Sequence, residues 1–388
     1  MAVDVVIVGG GVMGASCAYW LTRLSPGLSV VLIEPDPTHA RAATALSVAS
    51  IRQQFTSAVN VQISRFGVGF IRDFAAQTGF SGDLGLREQG YLFLGTRAEA
   101  PAIMAEVAAM QHAEGAATEV LGRAEVARRW PWMRSDDISA ASFGPRDEGW
   151  FDNMGLLRGF LEAARRQGVR VVHDRVTGFL NAGGSVTGVT LADGGRMDAG
   201  AFILAAGTAT AGMLADLGVE IPVEPRKRTV FVVDAPAARH PDAPLVIDAA
   251  GVYFRPEGRA WIAATVPDVD GPCAPDDFEP DHAQFEELVW PRLWGRAPGF
   301  EAAKVLRAWV GHYDFNRFDQ NALVGLVPGF CNLRLLNGFS GHGLQQSPAL
   351  GRGTAEHVLT GRWQSLDLSD LEVSRLWSGR RVIERAVV

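Results

Sequence analysis

The stretch Val3-Asp4-Val5-Val6-Ile7-Val8-Gly9-Gly10-Gly11-Val12-Met13-Gly14 decides the fold of this 388-residue chain. Val3 to Val8 is a short β-branched run, as expected of a strand buried on both faces. Gly9-x-Gly11-x-x-Gly14 follows it directly, and Ala15 to Leu24 reads as a helix. In that setting each glycine has a task. The first makes the tight turn, the second lets the backbone approach a pyrophosphate, and the third lets helix and strand pack closely. Val12 and Met13 lie in the turn, where the helix N-terminus points free N–H groups at negative phosphates. Pro26-Gly27 ends the helix, and Val30 to Ile33 is the next strand, closing on Glu34, 20 positions past Gly14. A carboxylate there can accept hydrogen bonds from the adenosine ribose hydroxyls. The reading is a βαβ unit with parallel strands, the start of a dinucleotide-binding fold.

Outward from this unit the chain alternates between two kinds of pattern. After Pro35 it loses clear periodicity until Ser57; from Ala58 to Gln77 Val61, Phe66, Phe70 and Phe74 recur at helical spacing. Strands are expected at Tyr91 to Leu94, Val169 to Val172 and Ala201 to Ala205, and helices at Ala100 to Glu114 and Met154 to Gln167. A hairpin turns around Ala182-Gly183-Gly184. Alternation over Thr229 to Val233 and Val252 to Thr265 predicts a separate antiparallel sheet, and Pro267 to Pro280 a loop. Leu333 to Leu336 is a strand into a Gly-rich turn, after which Ser347-Pro348 is expected to open a helix. The nucleotide-fold pieces lie at the start, middle and end. We therefore expect an α/β chain with a Rossmann-type FAD-binding domain (1–85, 145–220 and 320–388) and an α+β substrate domain on an antiparallel sheet (86–144 and 221–319).

Composition narrows the function. With 43 acidic against 36 basic residues the net charge is −7, a poor match for nucleic acid or anionic membrane. Cys17, Cys273 and Cys331 are few, odd in number and far apart, which fits neither a disulfide framework nor a zinc site. No metal is expected, and a reducing cytoplasm fits best. The first residues lack a basic n-region and carry Asp4, so a secretory leader is not expected. Val5 to Thr22 and Ala199 to Ala215 are uncharged but carry glycines mid-run, so each reads as strand, turn and helix rather than a membrane span. The glycine motif serves FAD or a nicotinamide cofactor. Its place at the start of a long chain, and the lack of a second such motif, favour FAD.

Beyond these residues the chain resembles the FAD-dependent D-amino-acid oxidase and sarcosine oxidase superfamily. The resemblance runs through Gly9 to Gly14 with Glu34, Ser50-Ile51-Arg52-Gln53-Gln54-Phe55 and Ile203-Leu204-Ala205-Ala206-Gly207. It continues in Gly251-Val252-Tyr253-Phe254-Arg255-Pro256 and Gly338-Phe339-Ser340-Gly341-His342-Gly343. Pro222 to Arg228 and Gly343-Leu344-Gln345-Gln346 are most similar to the sarcosine-oxidase-beta-like branch, which includes a mitochondrial oxidoreductase linked to complex I assembly. The resemblance implies that Ser50, Ile51 and their small neighbours pass beside the isoalloxazine ring. It further implies that Val176 meets the adenine and that Ala206 and Gly207 approach the cofactor. Gly338, Gly341, His342, Gly343, Leu344 and Gln345 would lie at the pyrimidine edge. The helix after that turn brings positive potential to a ring that carries negative charge when reduced.

The same resemblance points to substrate residues. Arg52 could hold a carboxylate bidentately or support the ring. Tyr253, Arg255 and Tyr313 are expected to point toward the substrate cavity, and His342 to fix its turn by hydrogen bonding. Three departures stand out. Gln345 replaces a carboxylate-binding Lys of the sarcosine oxidases, Trp261 falls about where they place an oxygen-activating Lys, and Gly311 replaces a flavin-tethering Cys. The FAD is therefore expected to be noncovalent. The implied activity is oxidation of the C–N bond of an amino acid or secondary (N-methyl) amine, by hydride transfer to flavin N5, giving an imine that hydrolyses. The alternatives are a 2-hydroxy-acid dehydrogenase and an assembly factor with structural FAD. The partners would be a small amine or amino acid and either O2 or a carrier as electron acceptor. The chain has only two lysines, Lys227 and Lys304. Oxygen should then be a poor acceptor unless Lys227, His342 or an Arg supplies the positive charge.

Overall fold

The computed structural model describes residues 3–385. Val3–Val8 lies inside a sheet of order Leu323–Leu326, Leu333–Asn337, Arg196–Leu204, Val3–Val8, Val30–Ile33, Arg170–Val172. Every neighbour in that run is parallel except the first pair. All four residues of Val30–Ile33 are buried, as a strand covered on both faces requires. The helix Val12–Leu24 is buried from Val12 to Thr22, packed between the helices Asn153–Arg166 and Gly343–Thr360. The hairpin of Val176–Ala182 and Ser185–Leu191 continues antiparallel from Arg196–Leu204.

The apolar recurrence expected over Ala58 to Gln77 forms two helices, Ala58–Arg72 and Phe74–Thr78, because Asp73 leaves helical angles (φ −95°, ψ 13°). The break turns Phe74 edge-on to Phe160 at 5.3 Å and to Phe80 at 5.7 Å. Such aromatic pairs add about 0.5–1.5 kcal/mol beyond area burial. The stretch without clear periodicity holds a short helix, Ala43–Leu46, and a two-residue strand, Ser50–Ile51, paired with Gly149–Trp150. These short elements carry the wall of the site described below.

The second sheet has eight strands in the order Lys304–Asn316, Val223–Asp234, Ala260–Thr265, Val252–Glu257, Leu245–Ile247, Tyr91–Gly95, Ala140–Gly144, Glu119–Leu121. It is antiparallel apart from Leu245–Ile247 against Tyr91–Gly95, which run parallel. Alternation sends Phe231, Phe254, Trp261 and Ala263 to a core on one face. Tyr91, Val230, Ile247, Tyr253, Ile262 and Ala264 go to the other.

One expected boundary is corrected. Ser347-Pro348 does not open the last long helix, which runs Gly343–Thr360 with Pro348 inside it. Pro348 has no N–H for the carbonyl of Leu344 four residues earlier. The hydroxyl of Ser347 donates to that carbonyl instead, at 2.9 Å, so the helix can begin at the glycine turn.

Candidate active site

The first sheet ends in a glycine-lined cradle. Gly9 sits at φ +102°, and a Cβ there would lie 2.4 Å from the Ala205 carbonyl oxygen. A Cβ on Gly14 would lie 1.9 Å from the oxygen of Gly9, so this position joins helix to strand and admits no side chain. Gly11 is open: a Cβ there would find its nearest outside atom, Thr44 Oγ1, at 3.5 Å. That hydroxyl accepts the N–H of Val12 at 3.1 Å. The Glu34 carboxylate accepts the N–H of Gly10 at 2.7 Å and of Asp36 at 2.9 Å.

A cavity of about 700 Å³ runs from this cradle to the second sheet. At one end it is lined by Glu34, Val176, Ala206 and Gly207, and at the other by Arg52, Tyr91, Tyr253, Tyr313 and Arg228. Gly9, Gly11, Val12, Met13, Ser50 and the turn Gly341 to Gln345 also line it. Gly14, Ile51 and Gly338 do not reach its surface; they hold the elements that do.

The turn is built by its neighbours. Gly338 (φ +71°) and Gly341 (φ +94°) adopt left-handed angles, and a Cβ on Gly341 would meet the Tyr313 ring at 2.6 Å. The Asp314 carboxylate accepts the N–H of Gly338 at 2.8 Å and the amide of Asn337 at 3.0 Å. Burial pushes that carboxyl up to about 7, against the opposing pull of the backbone N–H groups.

Arg52 is 3% exposed. Its guanidinium lies over the rings of Phe55 (4.7 Å), Phe93 (5.5 Å) and Tyr91 (5.9 Å), and its Nη2 is 3.0 Å from His342 Nε2. Gln345 turns its carbonyl oxygen away from the cavity role expected of a carboxylate-binding group. Its Oε1 accepts the N–H of Arg52 at 2.8 Å, so it positions Arg52 from the flank of the turn. His342 also packs edge-on against Phe55 at 5.1 Å.

One expectation is corrected here. Arg255 does not line this cavity. It shares a strand face with Tyr253 but lies farther along, lining a second cavity of about 660 Å³. The segment Leu46-Ser47-Val48 walls both cavities. Arg255 stacks on Trp150 at 4.9 Å and donates to the Val48 carbonyl at 2.9 Å, so it supports the wall from behind. Lys227 also lines neither cavity. Its ammonium binds both carboxylate oxygens of Asp277, at 2.8 and 3.0 Å. Trp261 faces the core behind the sheet, where its Nε1 donates to the Ala238 carbonyl at 2.7 Å. His312 borders the cavity, stacks on Phe278 at 4.3 Å and has its Nε2 2.7 Å from the Asp277 carbonyl.

Three residues of this region were not singled out from the sequence. Arg228, 4% exposed, faces the cavity beside the Tyr313 ring at 5.0 Å and is paired with Asp270 at 2.8 Å. Tyr91 completes a cluster in which three of the chain's four tyrosines border one cavity. Burial raises all three hydroxyl pKa values, so each stays a neutral donor or acceptor. Glu148 lies behind Arg52, accepting the N–H of Gln53 at 2.7 Å and the side-chain amide of Gln54 at 2.8 Å. The scarcity of tyrosine was the available signal for Tyr91; Arg228 and Glu148 had none at this level.

Comparison with known proteins identifies the family. The sequence signature of the DAO family, FAD dependent oxidoreductase, matches residues 4–357. The chain is 38% identical over 426 residues to FAD-dependent oxidoreductase domain-containing protein 1 of Bos taurus, covering 99% of this chain and 87% of that protein. It is 24% identical over 402 residues to monomeric sarcosine oxidase of Bacillus sp. (strain B-0618), covering 96% of each. Its fold matches a crystal structure of L-proline dehydrogenase from P. horikoshii with a TM-score of 0.87 and 25% identity, over 98% of this chain and 99% of that one.

The residues present fit FAD. The side-chain-free approach at Gly11 and the helix N-terminus behind it suit a pyrophosphate. The cavity extends from Glu34 to the tyrosines without a break. Removing the Glu34 carboxylate as Glu34→Ala loses charge-assisted hydrogen bonds of about 1.5–3 kcal/mol. FAD affinity, measured by quenching of flavin fluorescence on titration into apoprotein, should fall by roughly tenfold to a hundredfold.

Proposed function

Because this chain belongs to the DAO family of FAD-dependent oxidoreductases, we propose that it oxidises the C–N bond of an amino acid or secondary amine that carries a carboxylate. Bound FAD supplies the acceptor for the hydride that leaves the carbon next to nitrogen, and the resulting imine hydrolyses. The observation that carries the reading is Arg52. It is a nine-tenths-buried guanidinium held in an aromatic cage and lining the cavity that the glycine cradle opens into. A buried Arg in apolar surroundings is suited to bidentate pairing with a carboxylate. Gln345 holds the backbone N–H of Arg52, and His342 Nε2 meets the guanidinium at 3.0 Å. Tyr91, Tyr253 and Tyr313 keep water from the region between Arg52 and Arg228 and offer neutral hydroxyls to the amine end. No carboxylate or imidazole among the described residues is needed as a base if the amine binds neutral.

The likeness to L-proline dehydrogenase and to monomeric sarcosine oxidase supports an amino acid with a secondary nitrogen as the substrate class. The sheet around Val3–Val8 with its helices, from 1–85, 145–220 and 320–388, serves as the FAD-binding domain. The second sheet, from 86–144 and 221–319, serves as the substrate domain. FAD is held noncovalently: Gly311 has no side chain to tether it, and none of Cys17, Cys273 and Cys331 lines the cavity. Placement in the sarcosine-oxidase-beta-like branch rests on the segments Pro222 to Arg228 and Gly343 to Gln346 alone. No helix among the described residues is long and apolar enough to cross a membrane. The three scattered free thiols suit a reducing compartment, and on that ground we place the enzyme in the cytoplasm.

Oxygen is a slow acceptor in this reading. Lys227 is turned to Asp277, Arg228 is matched by Asp270, and the Arg52 guanidinium, beside His342, is assigned to the substrate carboxylate. Anaerobic mixing with a panel of N-methyl amino acids should bleach the flavin absorption band. Absence of bleaching with every amine, and bleaching with a 2-hydroxy acid, would shift the assignment to the hydroxy-acid reading. Absence with both classes would favour a structural FAD.

A further inference from the structure

Behind Arg52 lies a carboxyl group that no part of the flavin cradle uses. Glu148 is 1% exposed. It precedes Gly149–Trp150, which pairs with Ser50–Ile51, the strand that leads into Arg52. Its Oε1 accepts the N–H of Gln53 at 2.7 Å, and its Oε2 accepts Gln54 Nε2 at 2.8 Å. Gln54 Nε2 also donates to the Tyr91 carbonyl at 3.0 Å, and Gln54 Oε1 accepts from Ser142 at 2.6 Å. Glu148 thus ties the Arg52 segment to the strands Tyr91–Gly95 and Ala140–Gly144 of the second sheet. Gln345 grips the backbone of Arg52 from the opposite side. No Lys or Arg nitrogen among the described residues is within ion-pair distance of Glu148, although its field reaches Arg52.

We propose that Glu148 is a positioning residue whose charge state tunes Arg52, so that binding of a substrate carboxylate at Arg52 is accompanied by proton uptake at Glu148. The inference rests on the assignment of Arg52 to a carboxylate. An ionised Glu148 behind Arg52 opposes a second anion in front of it, whereas a neutral Glu148 keeps the hydrogen bond at its carbonyl oxygen, becomes a donor at the other, and removes the repulsion. Burial already pushes Glu148 up to about 7, against the pull of Gln54, Gln53 and Arg52. The charged and titratable groups facing it are Arg52 from the Ser50–Ile51 side and Tyr91 from the second sheet. On its outer side Asp147 is matched by Arg72, which also holds Glu88. An anion at Arg52 raises the Glu148 pKa further. Affinity for the anion therefore falls as pH rises above the pKa of the free protein, and levels off above that of the complex.

The test uses FAD-loaded protein and acetate or propionate, carboxylates without an amine, so that only the carboxylate end is titrated. Binding is followed by the change in the flavin absorption spectrum between pH 6 and pH 9. The dissociation constant should rise by about tenfold across that range, and in Glu148→Gln it should become independent of pH. A flat profile in the wild-type protein, or an unchanged slope in Glu148→Gln, overturns the proposal; the latter would place the proton elsewhere, on Asp314, whose carboxyl burial also pushes up to about 7, or on His342. If the Gln variant does not hold FAD, the wild-type protein still decides. An infrared difference spectrum at pH 8 should show a protonated carboxyl appearing when acetate binds, and its absence overturns the proposal. If no carboxylate perturbs the flavin at any pH, the assignment of Arg52 fails instead.

Discussion

Arg52→Met should sharply lower kcat/KM for an N-methyl amino acid while leaving the protein yellow. The variant keeps a side chain of similar length in the cage of Phe55, Phe93 and Tyr91, so the wall of the cavity is retained. It removes the guanidinium that would meet the carboxylate. Truncating one partner of a buried, hydrogen-bonded charge pair costs about 2–5 kcal/mol. At about 1.4 kcal/mol per tenfold this is roughly a 30- to 4,000-fold loss in kcat/KM. The loss should fall mainly on KM, because the interaction is present in the ground state as well as in the transition state. Arg52→Lys should be intermediate, since an ammonium keeps the charge but not the fork or the stack. FAD content should stay near one per chain in both variants. An unchanged KM for the carboxylate substrate in Arg52→Met would remove Arg52 from the site.

Gly14→Ala and Gly11→Ala should separate two uses of one glycine motif. At Gly14 a Cβ would sit 1.9 Å from the Gly9 oxygen and 3.2 Å from an Ile7 methyl. Neither is the free end of a flexible side chain, so the helix Val12–Leu24 must move off its strand. That helix packs on both Asn153–Arg166 and Gly343–Thr360, and the shift spreads through the core. Overpacking of this kind costs about 1–3 kcal/mol or more. Gly14→Ala should therefore melt several degrees lower and purify colourless. At Gly11 the nearest neighbour of a Cβ is Thr44 Oγ1 at 3.5 Å, ordinary contact. Gly11→Ala should melt near wild-type apoprotein yet bind FAD weakly, because its methyl group projects where the pyrophosphate must approach. Thermal unfolding of the apoproteins, with flavin titration beside it, reads both outcomes. Equal melting temperatures for the two variants would refute this division of labour.

The first βαβ unit was legible because its determinants are local. A strand, a tight turn and a helix N-terminus are specified by residues within one short window, and Glu34 follows at a distance fixed by the helix between. Arg52 and the turn Gly338 to Gly343 were reached through resemblance, as whole segments. What the sequence did not reveal was parity and reach along the strands of the second sheet. Lys227 and Arg228 are adjacent, and nothing in their spelling says which one faces the cavity. Pairing with Lys304–Asn316 and Ala260–Thr265 puts Arg228 over the Tyr313 ring and leaves Lys227 to Asp277. Tyr253 and Arg255 share a face by alternation, but two residues of strand are long enough to carry Arg255 past the wall at Leu46 to Val48.

Glu148 shows the same limit from another side. It is a charged residue in a short connection, with no periodicity to mark it as buried, and its partners Gln53 and Gln54 lie in a segment nearly a hundred positions earlier. Only the pairing of Ser50–Ile51 with Gly149–Trp150 brings them together. The sequence by itself determined the cofactor cradle, because short-range backbone sterics choose glycine there and little else. The tertiary structure alone decided which charges surround Arg52. Long-range strand pairing sets which side chains share a face, and burial on that face sets how strongly their charges act.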